Sequence, residues 1–258
     1  PRLNAEHLLA HSLGKKRIEL YLEFERVLLE SELAPMRELV KRRGQGEPLQ
    51  HLLGTVEFCG HNFLCDQRAL IPRPETEELV EQVRNAEGGR RNGRIFDVGT
   101  GSGVIALSLA AVLPEAEITA ADISREALAL ARENAERLGL TNRIQFLESD
   151  LFSNVSGRFH LIVGNLPYVA ETDRSTLSRE VLHDPDRALF GGKNGDEIIR
   201  QLIAEAPAHL HPGGLLALEI GIGQSDALSA FLAEQNYRDI SARQDFAGVT
   251  RFLLARHG

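Results

Sequence analysis

The sequence predicts an α/β protein: a seven-stranded, doubly wound, mainly parallel sheet, preceded by a small N-terminal helical unit and a linking β-hairpin. Three observations lead there. From Arg94 onward, short apolar runs alternate with segments of helical period, the pattern of a parallel sheet flanked by helices. The first apolar run ends in a glycine-rich turn, residues 99–103, that opens a helix. The last two runs are joined by a short connection through Gly248, which makes them antiparallel neighbours at the sheet edge.

Residues 3 to about 45 carry helical periodicity, with Leu3, His7, Leu8 and His11 on one face, then Leu20, Tyr21 and Phe24, then Leu33, Met36, Leu39 and Val40. Gly44, Gly46 and Pro48 end this unit. Thr55 to Cys59 and Phe63 to Cys65 flank the polar turn Gly60-His61-Asn62 and read as a hairpin. Pro72 and Pro74 force an extended lead-in, and Glu75 and Glu77 open a helix to about Asn85. Residues 88–93 read as a polar loop. Strands are then expected near 94–98, 117–122, 143–148, 159–164, 214–220, 237–243 and 249–255, and helices near 103–112, 124–138, 195–210 and 224–235. The expected division is a helical substrate-recognition domain over 1–50, a hairpin linker over 51–70 and a sheet domain over 71–258.

A chain of 258 residues can bury a large core, and no apolar run approaches the length of a membrane span. The first residue is Pro1, inside a helical pattern, so residues preceding it are expected to be absent; no secretory signal is visible. The two cysteines, Cys59 and Cys65, have no His/Cys cluster at zinc spacing, and read as thiols of a reducing compartment with no metal role. A formal net charge of −8 argues against a partner held mainly through phosphates. The run Lys41-Arg42-Arg43 closes a helix, where cations favour the negative end of the dipole.

Ile95-Phe96-Asp97-Val98-Gly99-Thr100-Gly101-Ser102-Gly103 ends a strand and opens a helix whose N-terminus supplies unpaired N–H groups. The G-x-G-x-G spacing is not that of a dinucleotide loop, and alone it is weak. Two carboxylates strengthen it. Asp122 ends the second strand, where it can accept both hydroxyls of a ribose, and Asp150 ends the third, placed to accept from an adenine amine while Leu151 packs on the ring. No Lys follows the glycines to meet a phosphate, so the ligand is a neutral or cationic nucleoside, and S-adenosylmethionine fits. The plain alternative for both aspartates is helix capping.

The fourth strand, 159–163, runs into Gly164-Asn165-Leu166-Pro167-Tyr168. A strand end of this kind delivers a side-chain amide and free carbonyls into the crevice where such folds bind ligands. Pro167 restricts Leu166 to extended geometry, so the Leu166 carbonyl can point outward, and Tyr168 offers a flat face. The slot suits a planar –NH2. An ordinary strand-to-loop turn with a capping Asn is the alternative.

These residues resemble the class I S-adenosylmethionine-dependent methyltransferases, which have a Rossmann-like sheet, and among them the subgroup that methylates planar nitrogens. Further stretches resemble one family: Glu57-Phe58-x-Gly60, Ile71-Pro72-Arg73-Pro74-Glu75-Thr76-Glu77, Glu180-Val181 with Asp184-Pro185, Ala188-Leu189-Phe190-Gly191-Gly192, and Asp245-Phe246-Ala247-Gly248 before Arg251. The chain is thereby similar to the peptide chain release factor glutamine methyltransferases, the HemK/PrmC family, over nearly its whole length. The resemblance implies a cytoplasmic, monomeric enzyme that uses S-adenosyl-L-methionine to methylate the side-chain amide nitrogen, N5, of the glutamine in the Gly-Gly-Gln tip of release factors. It implies that Gly99, Thr100, Gly101, Ser102, Gly103, Asp122, Asp150, Leu151 and Asn165 hold the cofactor, and that Asn165, Leu166, Pro167 and Tyr168 hold the glutamine. Arg73 and Glu75 are candidates to orient the partner, or simply a capped helix start. Glu57 and Phe58 either close over the substrate or cover the domain junction.

The family's usual motif is Asn-Pro-Pro-Tyr; Leu166 replaces its first proline, and Asn-Leu-Pro-Tyr resembles ribosomal RNA adenine dimethyltransferases. An adenine-amine methyltransferase is therefore the second reading, disfavoured by the acidic charge and missing basic tail. His183 reads as a loop residue and Glu219 as support for the sheet rim.

Overall fold

The computed structural model describes residues 2–87 and 92–258. The expected polar loop before the sheet falls largely on 88–91, outside the described residues. The N-terminal unit contains α1 (Arg2–Ser12), α2 (Glu19–Leu22), α3 (Glu30–Gly44) and α4 (Leu49–Leu53). Gly54, left-handed at φ 69°, ends α4, so the helical unit continues to Leu53. The expected helical stretch through Tyr21 and Phe24 is reduced to the single turn of α2. Phe24 is 80 % exposed, and Tyr21 is held by donating its hydroxyl to Glu6 (2.8 Å) rather than by an apolar face. Leu8 and Ala10 are the buried residues of α1, and Leu33, Met36 and Leu39 of α3 are half-buried.

The basic run at the end of α3 is paired within the chain. Arg42 bonds Glu47, and Arg43 bonds Glu180 (2.6 Å) and donates to the Glu47 carbonyl (3.1 Å). These partners use the cations for intramolecular docking.

The hairpin, β1 (Thr55–Phe58) and β2 (His61–Leu64), is antiparallel with Phe58 opposite His61. Phe58 and Phe63 meet edge to face and are buried in the core that also takes in α5 (Pro74–Ala86), so Phe58 fills the junction rather than facing a substrate. Cys59 is half-buried, Cys65 buried, and both are free thiols. Burial pushes the Cys65 thiol up to about 12, which leaves it protonated and inert.

The main sheet comprises β3 (Asn92–Val98), β4 (Glu115–Asp122), β5 (Ile144–Glu148), β6 (Phe159–Asn165), β9 (Leu210–Glu219), β10 (Tyr237–Gln244) and β11 (Thr250–His257). Two short strands, β7 (Val169–Ala170) and β8 (Phe190–Gly192), form a separate parallel pair. The main order is β10-β11-β9-β6-β3-β4-β5, parallel except for β11, which runs antiparallel to both β9 and β10. Helices α6 (Val104–Val112), α7 (Arg125–Arg137), α9 (Glu197–Glu205) and α10 (Ser225–Glu234) connect these strands, and α8 (Asp186–Leu189) precedes β8. The expected helix over 195–210 is shorter: Pro207 lies in a 3-10 turn after α9, and β9 begins at Leu210.

From β3 the chain winds one way to β4 and β5 and the other way to β6 and β9. The topological switch therefore lies between β3 and β6, beyond whose carboxyl ends a doubly wound fold binds its ligand.

Candidate active site

A cleft of about 450 Å³ opens at that switch point. Its wall includes Gly99 and Gly101 from the turn after β3, Asp122 from the end of β4, Asp150 and Leu151 after β5, and Asn165, Leu166 and Pro167 after β6. Residues from 99 to 167 thus converge because four consecutive parallel strands end on one side of the sheet. Arg68, Ala69 and Leu70, from the segment after the hairpin, and Arg187 from α8 also line the wall; sequence reasoning missed them, since nothing in their local pattern marks them.

The glycine turn is braced from behind. Thr100 is buried and donates its hydroxyl to Asp97 Oδ2 (2.6 Å). Ser102 is buried, and its carbonyl accepts from Asn134 Nδ2 (3.0 Å). Asn134 also pairs with both backbone groups of Leu64, at 2.6 and 3.2 Å, and so staples the hairpin to the turn. Of the predicted cofactor residues, Gly99, Gly101, Asp122, Asp150, Leu151 and Asn165 form the cleft wall, whereas Thr100, Ser102 and Gly103 stand behind it.

Gly99 adopts φ 68°, and a Cβ there would approach Leu166 Cδ2 to 2.6 Å. The Leu166 side chain, buried in the core, thus occupies the space under the turn. Gly191 of β8 makes a similar close approach: a Cβ on it would lie 2.3 Å from the Pro167 carbonyl oxygen. The Phe190-Gly191-Gly192 stretch supports the far side of the Asn-Leu-Pro-Tyr segment.

Asp122 accepts from the Gly101 N–H (2.8 Å) through Oδ2 and from the Ser124 N–H (2.8 Å) through Oδ1. Burial raises its pKa, while those two donors and the charge of Arg187 lower it. It therefore fixes the turn and keeps lone pairs for hydroxyl donors in the cleft. The cap of α7 is Ser124 rather than Asp122, and the bonds Asp122 makes are compatible with a ligand role. Leu151, held at φ 44°, is a non-glycine residue in left-handed geometry at the cleft wall. The donor set fits S-adenosylmethionine: two carboxylates for hydroxyl and amine donors, an apolar wall at Leu151 for a purine, and no Lys in the turn to demand a phosphate.

Asn165 donates Nδ2 to Thr76 Oγ1 (3.0 Å), and Thr76 donates its hydroxyl to Glu219 Oε2 (2.8 Å). Tyr168 donates its hydroxyl to Glu219 Oε1 (3.3 Å). Asn165 and Glu219 are register partners on β6 and β9. Glu219 thus links α5 and Tyr168 besides supporting the rim, and Thr76, the fourth residue of Arg73-Pro74-Glu75-Thr76, reaches Asn165 from a helix start; Thr76, Glu219 and the predicted substrate residue Tyr168 stand behind the cleft wall rather than in it. Arg73 is turned away, bonding Asp184 Oδ2 (2.5 Å), whose Oδ1 accepts from the Ile71 N–H (3.1 Å). Glu75 lies near enough to Glu219 to raise its pKa. Neither Arg73 nor Glu75 is part of the cleft wall. His183 lies in a 3-10 turn with its ring against the Arg179 carbonyl, away from the cleft.

Residues 1–54 match the PrmC N-terminal domain and residues 74–193 the methyltransferase small domain. The chain is 43 % identical to a release factor glutamine methyltransferase of Deinococcus radiodurans, covering 99 % of this chain and 91 % of that one. It is 40 % identical to another of the same name from Rhodopirellula baltica, over 98 % and 88 %. A solved 16S rRNA N2 G1207 methyltransferase of T. thermophilus, in complex with AdoMet and guanosine, superposes with a TM-score of 0.59 at 20 % identity, over 79 % of this chain and 50 % of that one, and shares the fold.

Proposed function

Since the chain belongs to the release factor glutamine methyltransferase family, we propose that it transfers a methyl group from S-adenosylmethionine to the side-chain amide nitrogen of a glutamine in a peptide chain release factor. The carrying observation is the orientation of Asn165. Its Nδ2 is bonded to Thr76, which leaves its carbonyl oxygen free to accept from a group in the cleft that Asn165 lines.

An amide nitrogen is a weak nucleophile because its lone pair is conjugated; the rotation barrier of about 18–20 kcal/mol measures that conjugation. Asn165 Oδ1 and the Leu166 backbone carbonyl accept the two N–H bonds of the glutamine and hold its nitrogen at the cleft. Tyr168, tied to Glu219, borders the amide plane. Gly99, Gly101, Asp122, Asp150 and Leu151 hold the cofactor, which when bound supplies an electrophilic sulfonium methyl. Alignment is the main contribution of these residues, and in well-oriented reactions it represents about 7–11 kcal/mol of barrier. The nitrogen sheds its proton to solvent after transfer. The helical unit at the N-terminus, tied to the sheet domain by Arg43 and Glu180, is the surface we assign to release factor recognition.

The adenine-amine reading, which Leu166 suggests, finds less support: the basic run at the end of α3 is spent on Glu47 and Glu180, and the relatives are named for glutamine. Incubation with methyl-labelled cofactor and either a release factor or ribosomal RNA tests the choice. Label is expected in the protein; label in the RNA alone would overturn the assignment.

A further inference from the structure

We propose that Thr76 and Glu219 are positioning residues for methyl transfer, which fix the rotation of the Asn165 carboxamide so that its oxygen rather than its NH2 faces the cleft. The inference rests on Asn165 as the acceptor for the substrate amide, and it adds what decides that an acceptor is presented there at all.

A carboxamide has two ends of nearly equal size, one donating and one accepting, and only its hydrogen-bond partners choose between its two orientations. Here the choice is made by a chain of three groups. Ionised, Glu219 only accepts, and it takes the Thr76 proton on Oε2 and the Tyr168 proton on Oε1. The single Thr76 proton is thereby committed, and its oxygen has only lone pairs left for Asn165. Those lone pairs require an N–H, so Nδ2 turns inward and Oδ1 turns to the cleft. Thr76 and Glu219 are 3 % and 1 % exposed, so water does not compete for these bonds.

Protonation of Glu219 reverses the logic. A carboxylic acid that donates to Thr76 frees the Thr76 proton for Asn165 Oδ1, and the flipped amide then presents NH2 to the substrate's own NH2. Burial raises the Glu219 carboxyl to about 7, the bonds from Thr76 and Tyr168 and the charge of Arg251 lower it, and Glu75 raises it further. Arg251 itself is 3.5 Å from Asp245, which shares its charge. Transfer is therefore expected to rise as pH rises through about 7.

The test uses the full chain with a release factor, and compares the wild type with Thr76→Val, Thr76→Ser and Glu219→Gln. Thr76→Val keeps shape and removes the hydroxyl; it should lower kcat about tenfold or more while cofactor affinity stays within about twofold. Thr76→Ser restores the hydroxyl and should recover kcat to within about threefold of wild type. Glu219→Gln cannot ionise, and its amide can turn either end to Thr76, so it should lower kcat and lose the acid limb of the pH profile. Wild-type kcat in Thr76→Val, an equal loss in Thr76→Ser, or an unchanged acid limb in Glu219→Gln would overturn the proposal. If the wild type transfers nothing to a release factor, the functional reading fails on its own. The relay is then read from the Asn165 side-chain N–H signals, identified by their loss in Asn165→Asp. These should move in Thr76→Val and not in Thr76→Ser, and signals unmoved in Thr76→Val overturn it.

Discussion

Leu166 lies directly under Gly99: the leucine side chain fills the space that a Cβ on the glycine would need, at 2.6 Å from Leu166 Cδ2. The residue that departs from the family's Asn-Pro-Pro-Tyr motif thus packs against the turn proposed to hold the cofactor. The Asn-Leu-Pro-Tyr segment and the glycine turn are one packed unit.

Gly99→Ala is accordingly expected to weaken cofactor binding by about tenfold or more, because it adds a left-handed non-glycine residue and a close contact at once. Adding Leu166→Ala should recover part of the loss by removing the contact, but not the part due to φ. Calorimetric titration with S-adenosylmethionine checks both; wild-type affinity in Gly99→Ala would contradict the packing argument.

Asp122 accepts from the Gly101 and Ser124 N–H groups, and under the proposed function it also accepts from the cofactor in the cleft. Asp122→Ala should therefore cost about 1–3 kcal/mol of cofactor binding for each buried donor left unpaired, and Asp122→Asn, which retains one acceptor oxygen, should cost less. The ratio of the two affinities, measured by the same titration, is the readout. An alanine variant that binds as well as asparagine would show that the carboxylate is idle.

Asp97 predicts how stability depends on pH. It is wholly buried, its Oδ2 accepts from Thr100 and the Ala106 N–H (3.1 Å), and its Oδ1 has no partner. Burial raises its pKa to about 7 from 3.8. The folded chain then keeps a proton that the unfolded chain has lost between these values, so stability falls as pH rises through that window and levels above it. Glu219 acts in the same direction over a similar window. Glu6, lowered to about 2 by Tyr21, Arg2 and Arg17, acts the opposite way, and only at acid pH. Thermal unfolding between about pH 5 and 7.5 should show Tm declining with pH, and Asp97→Asn should flatten the decline. A Tm that rises over this window in both proteins would refute the assignment.

Much of the fold was legible because its signals are local. The alternation from Arg94, the turn at 99–103, the hairpin at 55–65 and the antiparallel edge through Gly248 each depend on residues close in sequence, and each appears near its expected place, although the hairpin turns at Cys59-Gly60, with the expected turn residues His61 and Asn62 paired in β2. Asn165, Asp122 and Asp150 were legible for the related reason that a strand end in a doubly wound sheet is itself a position in the site. What the sequence concealed depends on register. Glu219 faces Asn165 only because β6 and β9 pair as they do, and Thr76 enters the site only because α5 packs across that pair. Arg68 and Arg187 reach the cleft from segments whose own pattern says only loop or short helix. The middle of the N-terminal unit is the converse case: Leu20, Tyr21 and Phe24 have the helical spacing of an apolar face, yet Phe24 is 80 % exposed among the described residues.

Under the proposed function, Asn165 presents an acceptor to a substrate amide beside the cleft at the β3–β6 switch. Mass analysis of release factor peptides after incubation with S-adenosylmethionine and either the wild type or Asn165→Ala tests it most directly, with cofactor affinity measured alongside. One methyl group is expected on a glutamine side chain with the wild type, at least about a hundredfold less with Asn165→Ala, and little change in cofactor affinity. Equal methylation by the two proteins, or a methyl group on any other residue, would contradict it.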